Sequence, residues 1–281
     1  MNYLQKVTTL KELWDARAAL PEPVGFVPTM GYLHDGHISL VKHACSQSAS
    51  VVVSIFVNPT QFAPTDDLDA YPRDLERDAA LLQEAGANLL WVPTPEVMYP
   101  PGFQTWVNVE KITQPLEGEK RPGHFRGVTT VVTKLFNAVQ PQKAFFGQKD
   151  AQQAAVIRQM VRDLNMPIEI LIKPIVRERD GLAMSSRNTY LNPEERQAAL
   201  VLSKSLAAAK SAYESGERDA QTIRKIMEEI INAEPLARLE YASCADYDTL
   251  EELEIISEKA LLSMAVFVGK TRLIDNLILG A

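Results

Sequence analysis

Cysteine is nearly absent from this 281-residue chain, which holds only Cys45 and Cys244. Two isolated cysteines make neither a disulfide framework nor a Cys-x-x-Cys metal site, and both read as small, reduced packing residues. No stretch approaches the roughly 20 consecutive apolar residues that cross a bilayer. Residues 1–20 mix charged with apolar side chains instead of showing a basic start and an apolar run, so no signal peptide is read there and the expected location is cytoplasmic. Basic residues are outnumbered, 29 Lys and Arg against 36 Asp and Glu, for a net charge of −7. That disfavours a general nucleic-acid binder, although a local basic cleft remains open. No internal repeat and no low-complexity segment interrupts the chain.

What is present is an ordinary globular balance, 46% hydrophobic and 23% charged residues, with length enough for two lobes. Residues 24–27, 51–57 ("VVVSIFV"), 89–92, 144–146 and 168–176 are short, apolar and β-rich without alternation, the pattern of parallel strands covered on both faces. Helical patterns at 36–48, 73–85, 128–139 and 150–164 lie between them, so the chain reads as successive βαβ units with right-handed crossovers. Residues 93–127 break the rhythm with six prolines and read as an irregular excursion carrying one strand at 106–109. Past 176 the character changes. Asn192 and Pro193 followed by two glutamates start a helix; a second follows at 220–232, then β-like runs at 239–247, 265–268 and 271–278. The expected fold is α/β: a parallel-sheet domain over 1–176 and a smaller C-terminal α+β domain over 177–281.

Four stretches carry candidate chemistry. "PTMGYLHDGH" follows the first strand and opens a helix, which is the ligand edge of an α/β sheet, with free amides and a positive helix terminus. Gly36 lets a base or phosphate approach closely, and His34 and His37 can donate to phosphate oxygens as charge builds on leaving pyrophosphate. Surface or capping histidines are the bland alternative. A metal pair would want further ligands, and His43 and His124 lie at no metal-site spacing to these two. "FFGQKDAQQ" repeats the strand-then-helix pattern, with Lys149 as a point charge for phosphate and Gln152 or Gln153 to orient a polar substrate; a solvated lysine and plain helix-surface glutamines are the alternative. "DGLAMSSRN" places two hydroxyls and Arg187 beside a turn at the lobe junction, or is a capped linker. "FVNPTQF" sends Asn58 and Gln61 from the end of a strand, or is turn chemistry around Pro59.

Taken in order, "PTMGYLHDGH", "FVNPTQF", "YPRDLERD", "GHFRGV", "FFGQKDAQQ" and "RERDGLAMSSRN" resemble the pantoate–β-alanine ligase family of the nucleotidylyltransferase superfamily, along the whole chain. The resemblance implies a Rossmann-like nucleotide- and pantoate-binding domain and a C-terminal lid. It implies that ATP activates pantoate as an adenylate with release of pyrophosphate, and that β-alanine then displaces AMP. By resemblance Met30, Gly31, Tyr32 and Leu33, with His34, Asp35, Gly36 and His37, line the ATP site, and His37 is the proton donor. Gly147, Gln148, Lys149 and Asp150, then Val176, Met184, Ser185, Ser186 and Arg187, complete the nucleotide pocket, the last group from the smaller lobe. His37, His34, Lys149 and Arg187 are the implied catalytic set. Gln61 and Gln153 correspond to the residues that hold pantoate, and Gln61 also touches β-alanine. Asp78 falls at the acidic position near Mg²⁺, but Arg77 stands where some members carry a second acid, so Mg²⁺ is expected mainly on the ATP phosphates. Ala183 and Ser186 replace the lysines of the related synthetase pattern, which leaves Arg187 and Lys149 to supply positive charge. The implied partners are small molecules only, no nucleic acid and no membrane, within a homodimer formed through the N-terminal domain. An aminoacyl-tRNA synthetase would need a basic tRNA surface that this acidic chain lacks. A dinucleotide-forming nucleotidylyltransferase would take a phosphorylated acceptor, against which the glutamines weigh. A non-catalytic nucleotide-binding module would not need the four charged and imidazole groups together.

Overall fold

The computed structural model describes residues 4–62 and 68–280. They form two compact units, the first taking the described residues up to Gln148 together with Gln152–Pro174, the second Lys149–Ala151 together with the described residues from Ile175 onward. The division falls two residues before the expected boundary, and Lys149–Ala151, expected in the first domain, belongs to the second unit.

The first unit runs β1 (Gln5–Val7), α1 (Leu10–Ala18), β2 (Val24–Thr29), α2 (Asp35–Gln47), β3 (Ser50–Ile55), α3 (Leu75–Ala85), β4 (Leu89–Trp91), α4 (Pro95–Met98), α5 (Glu117–Lys120), α6 (His124–Val139), β5 (Lys143–Gly147), α7 (Ala151–Asp163) and β6 (Glu169–Lys173). Its six strands lie in the order β1-β4-β3-β2-β5-β6, every pairing parallel. β3 is buried along its whole length, as a strand covered on both faces must be. Val27, Val53, Leu40, Leu82, Leu90 and Phe145 knit strands to helices in one apolar cluster.

From β2 the chain moves outward to β3 and β4, then returns through α6 to lay β5 against the other side of β2. The order therefore reverses between β2 and β5, and the crevice beyond the carboxyl ends of strands at such a reversal is where open α/β sheets take ligands.

Some local readings differ from the structure. Residues 106–109 are not a strand. The Val107 N–H donates to Thr130 Oγ1 at 3.0 Å and the Val107 carbonyl accepts from Thr129 Oγ1 at 2.7 Å, so hydroxyls of α6 satisfy the backbone that a sheet partner would have served. β1 and α1 lie in a stretch whose mixture of charged and apolar residues suggested neither. α1 is nonetheless fixed by a capping box between Thr9 and Glu12, and β1 is a three-residue edge strand with a single buried side chain.

The second unit contains α8 (Pro193–Ala198), α9 (Leu200–Glu214), α10 (Ala220–Asn232) and an antiparallel sheet of β7 (Ala237–Asp246), β8 (Ala260–Val268) and β9 (Thr271–Leu279) in sequence order. Asn192 caps α8 in a reciprocal box with Glu195. Leu202 and Leu206 of α9 and Ile223, Met227 and Ile231 of α10 pack on Leu262, Met264 and Val266 of β8. This is the small α+β lobe expected from the sequence.

Candidate active site

The loop leaving β2 is held by an aspartate from α3. The N–H groups of Tyr32 and Leu33 donate to Oδ2 and Oδ1 of Asp78 at 2.7 and 2.8 Å. Gly31 has φ +86° and Tyr32 has φ +50°, two consecutive left-handed residues, a geometry that persists only where its surroundings over-determine it. Asp78 supplies that constraint on one side. On the other, the Leu33 side chain, 1% exposed, drops into the apolar cluster of the sheet, and Arg77 lies over the Tyr32 ring. Burial raises the Asp78 carboxyl above the ordinary aspartate range against the opposing pull of the two amides and Arg77.

His34 is the N-cap of α2. Its Nδ1 accepts the Gly36 N–H at 3.1 Å, and Nδ1 of His37 accepts the His34 N–H at 3.3 Å, with the two rings 4.0 Å apart between centroids. A backbone N–H can only donate, so both Nδ1 atoms are acceptors and the proton of each neutral ring sits on Nε2. The cap thus fixes two imidazoles in the tautomer that carries an N–H donor at the far end of the ring. The helix starts at Asp35, one residue before the expected Gly36, because His34 itself does the capping.

The end of β3 delivers Gln61. Asn58, 1% exposed, donates from Nδ2 to Gln61 Oε1 at 3.0 Å and accepts at Oδ1 from the Tyr99 hydroxyl at 2.8 Å. Gln61 Nε2 in turn reaches Met30 Sδ at 3.3 Å, which brings two expected site residues together. The Gln61 carbonyl is bonded to Nδ1 of His124 at 2.8 Å, and Arg121 donates to Nε2 of the same ring at 3.3 Å. A Cβ on Gly127 would overlap the Thr60 carbonyl, so only glycine lets α6 press this close to the loop. Asn58, His124 and Gly127 were legible as parts of "FVNPTQF" and "GHFRGV", but nothing in the sequence said that their work is to hold Gln61.

At the end of β5, Gly147 and Gln148 lead into a 3₁₀ turn, Gln148–Asp150. Of the two following glutamines, Gln152 is buried: it accepts from the Glu117 N–H at 3.0 Å and donates to the carbonyls of Ile112 and Pro115 at 3.0 and 2.8 Å. It anchors the excursion. Gln153 is half-buried and has no such structural task among the bonds just described.

In the second unit, Lys149 is half-buried and Asp150 exposed, and the Lys149 carbonyl accepts from Asn276 Nδ2 at 2.9 Å. Residues 176–184 fold back on themselves, with the Met184 N–H donating to the Val176 carbonyl at 3.0 Å. Ser185 caps the following turn, its Oγ accepting from the Arg187 N–H at 3.3 Å, and Ser186 begins that turn. Arg177 and Asp275, joined by a two-armed ion pair at 2.7 and 2.9 Å, and Asn276 carry no motif that marks them in the sequence. The available signal was a pair of adjacent polar residues interrupting an apolar strand.

Among the described residues no group of three or more His, Cys, Asp or Glu side chains is placed to hold a metal. Asp78, the expected metal contact, has both carboxylate oxygens engaged by the loop amides.

A parallel sheet presenting fixed imidazole N–H donors and a helix start at its point of reversal defines a class, the α/β enzymes that handle phosphate-bearing substrates. Residues 2–278 match the family described as pantoate-beta-alanine ligase, and the chain belongs to that family. It is an enzyme, a ligase that forms an amide from an acid and an amine. The chain is 58% identical to the pantothenate synthetase of Herpetosiphon aurantiacus over 98% of its own length and 100% of that protein. It is 57% identical to the pantothenate synthetase of Thermoanaerobacter pseudethanolicus over 100% and 99%. The crystal structure of the Thermus thermophilus pantothenate synthetase superposes with a TM-score of 0.93 at 51% identity, covering 97% of this chain and 98% of that one. The Francisella tularensis pantoate-beta-alanine ligase, complexed with beta-gamma ATP and beta-alanine, superposes with a TM-score of 0.81 at 33% identity, covering 98% of each chain. No described helix is long and apolar enough to cross a membrane.

Proposed function

We propose that this enzyme condenses (R)-pantoate with β-alanine in two steps driven by ATP. In the first, a pantoate carboxylate oxygen attacks the α-phosphorus and pyrophosphate leaves, giving pantoyl adenylate. In the second, the neutral amine of β-alanine attacks the acyl carbon, AMP leaves with the electron pair of the broken C–O bond, and the nitrogen loses a proton as the amide forms. A carboxylate is a poor electrophile, so the adenylate supplies the leaving group that direct condensation lacks.

The observation that carries this reading is the histidine-capped start of α2, with both Nδ1 atoms accepting backbone N–H groups. Nε2–H donors held at a helix start stabilise the negative charge that builds on departing pyrophosphate, without reorganising at the moment of reaction. The reading assigns His37 as the principal donor and His34 as its partner, with the 30–37 loop as the ATP cradle. Gly147 and Gln148 lie at the neighbouring strand end. Lys149 and Arg187 supply positive charge to the phosphates, and Asp150, Val176, Met184, Ser185 and Ser186 belong to the nucleotide site. Gln61, held from three sides, and Gln153 bind pantoate.

Among the described residues nothing forms a ready cage for Mg²⁺, since each Asp78 oxygen already accepts a loop amide and no acidic cluster stands beside it. Mg²⁺ therefore enters with the triphosphate, as this ion often does, and Asp78 acts by shaping the loop.

The test is isotope exchange. Labelled pyrophosphate should enter ATP when the protein is given pantoate and Mg²⁺ without β-alanine, and should not when pantoate is omitted. Exchange that requires β-alanine would remove the discrete adenylate. Formation of ADP and phosphate would point to an acyl phosphate instead, and exchange driven by a phosphorylated acceptor rather than pantoate would favour a dinucleotide-forming enzyme.

A further inference from the structure

β9 carries two adjacent polar side chains, Asp275 and Asn276, only 1% and 3% exposed. Successive side chains leave a strand on opposite faces. Asp275 has the parity of Leu273 and Leu279, which belong to the apolar core of the second unit, and Asn276 has the other. Polar groups buried in such places are as a rule hydrogen-bonded, and the partners of these two are informative. The Asp275 carboxylate takes both arms of Arg177, at 2.7 and 2.9 Å, and the same guanidinium donates to the Gly181 carbonyl at 3.0 Å. Asp275 thereby fixes the fold-back at 176–184, which leads directly into Ser185 and Arg187. Asn276 donates from Nδ2 to the carbonyl of Lys149 at 2.9 Å. One step along one strand thus separates the carboxylate that holds Arg177, whose guanidinium braces the 176–184 fold-back, from the amide that holds the backbone of Lys149.

We propose that Asn276 is a positioning residue for the adenylation step, acting through Lys149. A lysine ammonium on a flexible four-carbon stem is a loosely directed charge, and its reach is set by where its Cα is held. The Asn276 bond fixes the peptide that carries that Cα, and so sets the site to which the amine is delivered. The inference rests on the role given to Lys149 above, and the experiment separates the two.

The experiment is a double-mutant cycle on the full-length protein, using Asn276→Ala and Lys149→Ala, with pantoate-dependent pyrophosphate exchange, kcat/KM for ATP, the KM for β-alanine and thermal unfolding all measured. Loss of one hydrogen bond should lower exchange and kcat/KM for ATP about three- to tenfold in Asn276→Ala, with the KM for β-alanine unchanged. In the Lys149→Ala background the same substitution should cost nothing further, because the group it positions is gone. An equal loss in both backgrounds would mean that Asn276 acts elsewhere, and no loss in the otherwise normal enzyme would mean that it positions nothing; either result overturns the proposal. A silent Lys149→Ala would overturn the role of Lys149 itself and this inference with it. Should Asn276→Ala not fold, Asn276→Ser enters the same cycle. If neither folds, Asn276 is a folding residue and the proposal falls.

Discussion

The backbone N–H of His34 donates to Nδ1 of His37 at 3.3 Å. The first turn of α2 therefore decides which nitrogen of His37 bears a proton, and it decides in favour of the one that faces away from the cap. Asparagine can place its Oδ1 where Nδ1 lies but puts no donor at Nε2, whereas glutamine reaches the Nε2 position and forfeits the cap contact. We expect His37→Asn to keep its thermal stability and to lose about 10²-fold or more in adenylation rate. His37→Gln should retain more activity and less stability. An active His37→Asn enzyme would show that the donor is not what matters.

How far this arrangement could be read beforehand depended on where its signal lay. β3 announced itself because a strand buried on both faces must be apolar throughout, and the location of the histidines followed from the strand before them and the helix after. β1, with one buried residue in three, leaves no such trace. The 106–109 segment is β-rich in composition yet finds its partners in threonine hydroxyls of α6, and composition does not reveal which donor will arrive. Asp78 was legible as an acid of interest but not as a clamp, because its two partners are backbone amides 45 and 46 residues away. In sequence Lys149 belongs to the strand–helix unit around it; in the structure it falls in the second unit, its carbonyl bonded by Asn276, 127 residues distant.

Asp78 makes that clamp testable. Replacing it by asparagine preserves size but turns one acceptor into an NH₂ group facing a backbone N–H, so one loop amide loses its partner. A buried polar group left unsatisfied costs about 1 to 3 kcal/mol. The left-handed pair Gly31 and Tyr32 would relax, displacing Met30 and His34 on either side. Asp78→Asn should therefore unfold at lower denaturant and show a raised KM for ATP, in Mg²⁺-saturated assays as much as at limiting Mg²⁺. A defect that excess Mg²⁺ abolished would instead mark Asp78 as a metal contact.

Gln152 and Gln153 are neighbours with opposite assignments. Gln152 satisfies three backbone groups of the 112–117 segment, so Gln152→Ala should lose stability, of the order of 1 to 3 kcal/mol for the groups left unpaired. Gln153→Ala should leave the denaturation midpoint in place and raise the KM for pantoate roughly tenfold or more, because a hydrogen bond to a charged partner contributes about 1.5 to 3 kcal/mol. Urea titration and pantoate saturation of the two variants check both halves. The reverse pattern, with pantoate binding damaged in Gln152→Ala alone, would exchange the roles.

Cys244 is fully buried on β7, and burial, with a smaller push from the Glu252 carboxylate, raises its thiol from 9.0 to about 12. The thiolate is the reactive form, so in the native protein Cys244 should resist alkylation at pH 8, with modification mapped at that residue appearing only on unfolding. The same shift sets a stability slope. A thiol whose folded value lies above its unfolded value holds its proton more tightly in the native state, so its contribution is complete below pH 9 and is lost as pH rises towards 12. In the middle of that window a pH unit should remove up to about 1.4 kcal/mol from the native protein beyond what Cys244→Ala loses, a difference that cancels the alkaline titration of every other group. Parallel stability curves for the two proteins between pH 9 and 12 would show that the thiolate is accommodated in the fold, and rapid alkylation of native Cys244 at pH 8 would show the same by an independent route.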